Sequence, residues 1–197
     1  MNHSLRKALL LIASLTLTTM ARAHVGTDGA EHHGLGLVDG FLHPFTGLDH
    51  LAAMIAVGFW SALSARRVWL APLAFANMLL VGALLGMAGM ALPAVEPLVA
   101  ATVLALGLLI ATRAQVPGVV AAALAGSFAV FHGIAHGSEF AGSSPVDVLM
   151  GMVAGTLVLH VAGLAAGLAL RGHSVWWPRV AGAAVALWGG ALLASLV

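Results

Sequence analysis

Residues 43–67 read HPFTGLDHLAAMIAVGFWSALSARR, and the reading of that stretch decides the fold class. Its middle carries no charge, while His43, Asp49 and His50 stand at one end and Arg66 and Arg67 at the other. About twenty mostly apolar residues suit a helix across roughly 30 Å of hydrocarbon. Ionisable groups at the edge of a bilayer core are costly to place there, which makes these histidines and this aspartate candidates for function.

Composition carries the same message along the whole chain. With 61% apolar and 8% charged residues and a mean hydropathy of +1.04, a soluble globular domain is excluded. A length of 197 residues leaves room for one bundle of spans and no separate water-soluble domain. The absence of cysteine removes disulfides, thiolate metal sites and cysteine nucleophiles together. Lys7 is the sole lysine, so no G-x-x-x-x-G-K-[ST] phosphate loop exists. Any transport runs on a gradient or on a partner's ATP.

The N-terminus has the pattern of a secretory signal peptide over residues 1–23: Arg6 and Lys7, an apolar stretch over 8–20, and the small-x-small site Ala21-Arg22-Ala23. A polar, histidine-bearing lead over 24–43 follows, then a six-span domain over 44–197. The spans are expected at 44–64, 68–90, 95–112, 116–137, 146–170 and 177–197, with prolines near the run ends. A cleaved signal puts the new N-terminus outside. Arg66, Arg67, Arg113, Arg171 and Arg179 then fall in cytoplasmic loops, and Asp28, Glu31, Asp39, Glu96, Glu139 and Asp147 fall outside, as the positive-inside rule asks. Trp60, Trp69, Trp176 and Trp177 flank the arginines as an interfacial belt. The expected fold is an all-α membrane protein, a bundle of six transmembrane helices in a bacterial inner membrane with both mature termini periplasmic. Glycine pairs four residues apart (82 and 86, 133 and 137, 151 and 155, 163 and 167) favour close helix packing.

A second cluster, HGIAHGSE over residues 132–139, ends the fourth span, while the first begins span one. In this topology both lie at the periplasmic depth, with Glu96 opening span three on the same side. Imidazole nitrogen and carboxylate oxygen are ligands of a borderline divalent metal. His132 and His136 share one helical face, with Glu139 three residues on. His43 and His50 would stand ~10.5 Å apart on a regular helix. Either Pro44 and Gly47 break it and fold His43 back, or the two serve successive sites. Asp49 and His50 point about 100° apart, so one can orient the other, although Asp49 also suits a plain helix start. His24, if newly N-terminal, offers an amine and an imidazole as a first contact, and His32 and His33 share its lead. His160 lies deep in span five, either an inner relay ligand or a packed residue.

At these two clusters the sequence resembles the HupE/UreJ family of nickel and cobalt permeases. The resemblance rests on His43-Pro44-x-x-Gly47-x-Asp49-His50 and His132-Gly133-x-Ala135-His136-Gly137-x-Glu139, and covers essentially the whole mature chain. It implies that His43, Asp49, His136 and Glu139 matter for metal passage, with Glu96 a weaker candidate. It also implies supply of nickel to urease or hydrogenase maturation, or of cobalt to cobalamin synthesis, and a functional link to such maturation proteins.

The resulting expectation is a permease, not an enzyme, for uptake of Ni²⁺, and second Co²⁺, from periplasm to cytoplasm. The ion and the bilayer are its partners; neither a resident cofactor nor nucleic acid is expected, and a homo-oligomer stays open. Imidazole protonation should weaken metal binding at low pH. The competing class is an intramembrane zinc hydrolase, with His132, His136 and Asp49 or His50 holding Zn²⁺ and Glu139 as base. Bis-histidine haem binding is a third reading, which a colourless protein would exclude.

Overall fold

In a bilayer each backbone N–H and C=O of a lone apolar segment must find its partner within that segment, and the helix meets this demand. The computed structural model describes residues 36–64, 67–140 and 145–196. Seven helices occur there: α1 Leu37–Thr46, α2 Leu48–Ser64, α3 Leu70–Met87, α4 Val95–Ala111, α5 Gly118–Glu139, α6 Pro145–Leu170 and α7 Trp176–Ser195. The described residues contain no strand. The expected signal peptide over 1–23 lies outside them, as do His24, His32 and His33.

Helices α3, α5, α6 and α7 are long and apolar enough to cross a membrane, and α1 with α2 makes a fifth if the two form one bent span. The remaining expected span, the third, corresponds to α4, whose 17 residues reach about 25 Å at ~1.5 Å each. Val119, Met150 and Leu187 are more than half exposed on the outward faces, an arrangement suited to lipid. The chain is a multi-pass membrane protein whose described secondary structure is all helical.

Two local features differ from the expected pattern. The first run does not start at residue 44: a helix begins at Leu37, breaks at Gly47, and resumes at an 86° bend. It begins early because the Asp39 carboxylate accepts the Gly36 N–H at 3.0 Å, closing a free donor of the first turn. Pro44 sits inside α1 without ending it, and the break comes at Gly47, which is extended at φ −91°, ψ 119°. The Gly47 carbonyl then accepts the Leu51 N–H at 2.9 Å to start α2. The second difference is Trp60, which is fully buried rather than part of an interfacial belt. Its indole N–H donates to the Ala114 carbonyl at 3.1 Å, and that partner makes deep burial of the ring affordable. Trp69, Trp176 and Trp177 are exposed as expected.

Helix α2 is the centre of the bundle, for every residue over 56–63 is buried and that stretch has no outward face. Around it α3 pairs with α5, α4 with α7, and α6 with both α1 and α2. The α3–α5 pair is held at backbone contact by the anticipated glycines. A methyl group on Gly137 would fall on the Ala83 carbonyl, and one on Gly82 would lie 3.0 Å from the Gly133 Cα. His132 and His136 directly precede Gly133 and Gly137. The turns that lock α5 to α3 thus present both imidazoles about 100° further round the helix, toward His50 on α2.

Candidate metal site

The bend at Gly47 decides the geometry of the site. It turns His43 back so that its Nε2 lies 2.6 Å from His136 Nδ1 and 3.3 Å from Glu139 Oε2. One ligand atom from each of His43, His136 and Glu139 falls within 4.8 Å of the others. Bonds of ~2.1 Å from one ion to three such atoms would place neighbouring ligand atoms roughly 3 Å apart. The two short separations bracket that value. Exposure falls from 56% for the Glu139 side chain to 22% for that of His43 and to 3% for residue His136, so the group has an open side and a closed side. Phe140 packs its ring edge against His43 at 4.7 Å between centroids and helps fix it.

On the closed side three more residues continue the cluster. His50 lies 4.0 Å from His136 and 4.9 Å from His132, centroid to centroid. Its Nδ1 is 2.9 Å from Asp49 Oδ1. A carboxylate only accepts, so the proton sits on Nδ1 and Nε2 carries the lone pair. The Thr102 hydroxyl donates to the Val99 carbonyl at 2.7 Å and therefore accepts from His132 Nε2 at 2.8 Å. His132 Nδ1 is left bare. His50 Nε2, His132 Nδ1 and His136 Nε2 are all buried without a hydrogen-bond partner. In His50 and His132 a bare buried nitrogen stands opposite one pinned by Asp49 or Thr102, the arrangement of metal ligands held by outer partners.

Of the sequence candidates, the structure therefore brings together His43, His50, His132, His136 and Glu139, and it places Asp49 behind His50 as its orienting carboxylate. Glu96 does not join the group; it is exposed in the first turn of α4. Thr102, six residues further along α4, meets His132, so Glu96 lies at the same end of the bundle. Thr102 itself escaped sequence analysis. A lone threonine in an apolar run carries no motif, and only the fold shows which histidine it reaches.

The role of Asp49 gives a direct test. In Asp49→Ala the His50 ring loses its fixed tautomer and orientation, and affinity for a borderline divalent metal should fall about 10- to 100-fold. Asp49→Asn keeps an acceptor of the same shape and should lose less. Equilibrium dialysis of the purified proteins against Ni²⁺ measures both; equal affinities for wild type and Asp49→Ala would remove the orienting role.

A family model described as HupE / UreJ protein matches residues 11–192. The chain belongs to the HupE/UreJ family. Among curated proteins, this family member is 45% identical over 185 residues to protein HupE of Rhizobium leguminosarum bv. viciae, covering 92% of this chain and 94% of that one. No solved structure matches. Both histidine clusters of this HupE/UreJ chain fall within the matched residues.

Proposed function

We propose that this protein is a secondary permease that takes up Ni²⁺, and second Co²⁺, from the periplasm into the cytoplasm. In this reading α4 crosses the membrane with the others, giving six spans in the inner membrane. Membership of a family associated with nickel and cobalt transport supports it. The observation that carries it is the convergence of His43, His136 and Glu139 on one point at the end of an apolar bundle. Two imidazoles with one carboxylate favour a borderline ion over Mg²⁺ or Ca²⁺, which take oxygen ligands. Mixed, moderate ligands also release what they bind.

His136 is the residue through which the ion passes inward. Its Nδ1 faces His43, while its Nε2 is buried on the ring beside His50. A neutral imidazole has one lone pair, so it ligates through Nδ1 or through Nε2, and a tautomer exchange shifts the ion from the open group to the closed one. An inside-negative potential of about 100 mV favours entry of a double charge by roughly 4.6 kcal/mol, at ~2.3 per charge. The destination of the metal, in urease or hydrogenase maturation or in cobalamin synthesis, is proposed on the family association alone.

The test is uptake of radioactive Ni²⁺ into proteoliposomes under an inside-negative potential. Uptake that excess Co²⁺ suppresses is the expected result. Absence of uptake by well-folded protein that retains one Zn²⁺ per chain would overturn the permease reading in favour of the hydrolase.

A further inference from the structure

Four imidazoles in the described residues keep a buried nitrogen without a partner. Three belong to the cluster above; the fourth is His160, on α6. It is fully buried, and its Nδ1–H donates to the Met54 carbonyl at 2.8 Å. That bond fixes the tautomer and leaves Nε2 with a bare lone pair. Met54 lies one turn beyond His50 along α2, so His160 stands deeper in the bundle than the cluster. The Phe75 ring stands between them, 5.7 Å from His132 and 5.1 Å from His160 between centroids.

A second unpartnered atom shares its face. Thr156, four residues before His160 on α6, is fully buried, and its hydroxyl has no hydrogen-bond partner. Serines and threonines elsewhere in these helices turn their hydroxyl to a nearby carbonyl, as do Thr46, Ser64, Ser127 and Ser138. The geometry points to a second station for the transported divalent ion at His160 Nε2 and Thr156 Oγ1, one step inward from the histidine cluster. This inference rests on the permease reading.

A purely architectural role accounts for the bond to Met54 and for nothing else. It explains neither the bare nitrogen nor the idle hydroxyl, and two unsatisfied polar atoms one turn apart in an apolar bundle disfavour folding. An ion with its remaining water satisfies both. The pair supplies one neutral nitrogen and one neutral oxygen, with no carboxylate. It therefore holds a borderline divalent cation weakly, as a passage site needs to, while the cluster with Glu139 dominates equilibrium binding.

The experiment measures Ni²⁺ binding and potential-driven Ni²⁺ influx on the same preparations of wild type, His160→Asn, His160→Gln and Thr156→Val. Asparagine can place its amide nitrogen near the Nδ1 position, keeping the Met54 bond while removing Nε2. It should bind Ni²⁺ like wild type but conduct about tenfold less, the signature of one raised barrier. Glutamine, whose side-chain oxygen reaches the Nε2 position, should recover part of the flux. Thr156→Val, close in shape to threonine, should lose flux without losing binding. Wild-type flux in both His160→Asn and Thr156→Val would overturn the second station, as would parallel loss of binding and flux in all three variants. Wild-type protein that binds Ni²⁺ but moves none would instead overturn the permease reading and the station with it.

Discussion

Replacing His136 with leucine should abolish nickel binding without weakening the metal-free protein. In the proposed permease His136 serves both halves of the site, through Nδ1 beside His43 and through the buried Nε2 on the ring beside His50. Its loss leaves His43 and Glu139 on one side and His50 and His132 on the other. Loss of an outer partner alone costs about 10- to 100-fold in metal affinity, and loss of a shared ligand should exceed the upper figure. Stability should move the other way. An unsatisfied buried nitrogen costs about 1–3 kcal/mol, while the bond to His43 returns about 1. A leucine of similar volume removes both, for a net change between zero and about +2 kcal/mol. Thermal unfolding in detergent, with and without Ni²⁺, reads the two effects together. Wild type at a hundredfold excess over its Kd should gain about 2.7 kcal/mol from the metal, and His136→Leu nothing. A variant that is still stabilised by nickel would show that the ion is held elsewhere.

The separation of function from stability at His136 also marks what sequence could and could not reveal. The helices were legible because their apolar runs are nearly free of charge, and the runs at 70–87 and 118–139 fall within a few residues of the expected spans. Both clusters were legible for the same reason, as ionisable groups in such surroundings stand out. Periodicity could not choose between a folded-back His43 and two successive sites. Gly47 decides the local geometry with an 86° bend: His43 folds back onto His136, and the His50 ring lies 4.0 Å from the same imidazole. Asp49 was open between a partner of His50, a metal ligand and a plain helix-start residue; its Oδ1 lies 2.9 Å from His50 Nδ1 and also accepts the His50 backbone N–H in the first turn of α2. Trp60 misled because an indole beside arginines in sequence looks interfacial. Its partner at Ala114 is 54 residues away and invisible to any local pattern.

The largest expected loss of stability comes from the smallest change, Gly133→Ala. The three nearest atoms that the new methyl would meet are all backbone of α3: the Leu79 carbonyl, the Ala83 nitrogen at 2.7 Å and the Gly82 Cα at 2.8 Å. Backbone cannot swing aside as a side chain can, so the two helices must separate along the contact that the Gly82, Gly86, Gly133 and Gly137 spacing creates. Overpacking typically costs 1–3 kcal/mol, and with no rotamer to absorb it the loss should be about 3 kcal/mol or more. Gly190→Ala is the matched control on α7, for its methyl would meet only Leu104 Cδ1 at 4.0 Å. The melting temperature and monodispersity of Gly133→Ala in detergent should fall sharply while the control stays at wild type. Equal behaviour of the two would mean that α3 and α5 are not in backbone contact. The site should feel the same change. His132 directly precedes Gly133, and displacement of α5 moves it relative to Thr102 and His50, so any folded Gly133→Ala should also bind nickel more weakly. The small residues that let these backbones meet therefore set the geometry of the candidate metal site, although none of them offers a ligand.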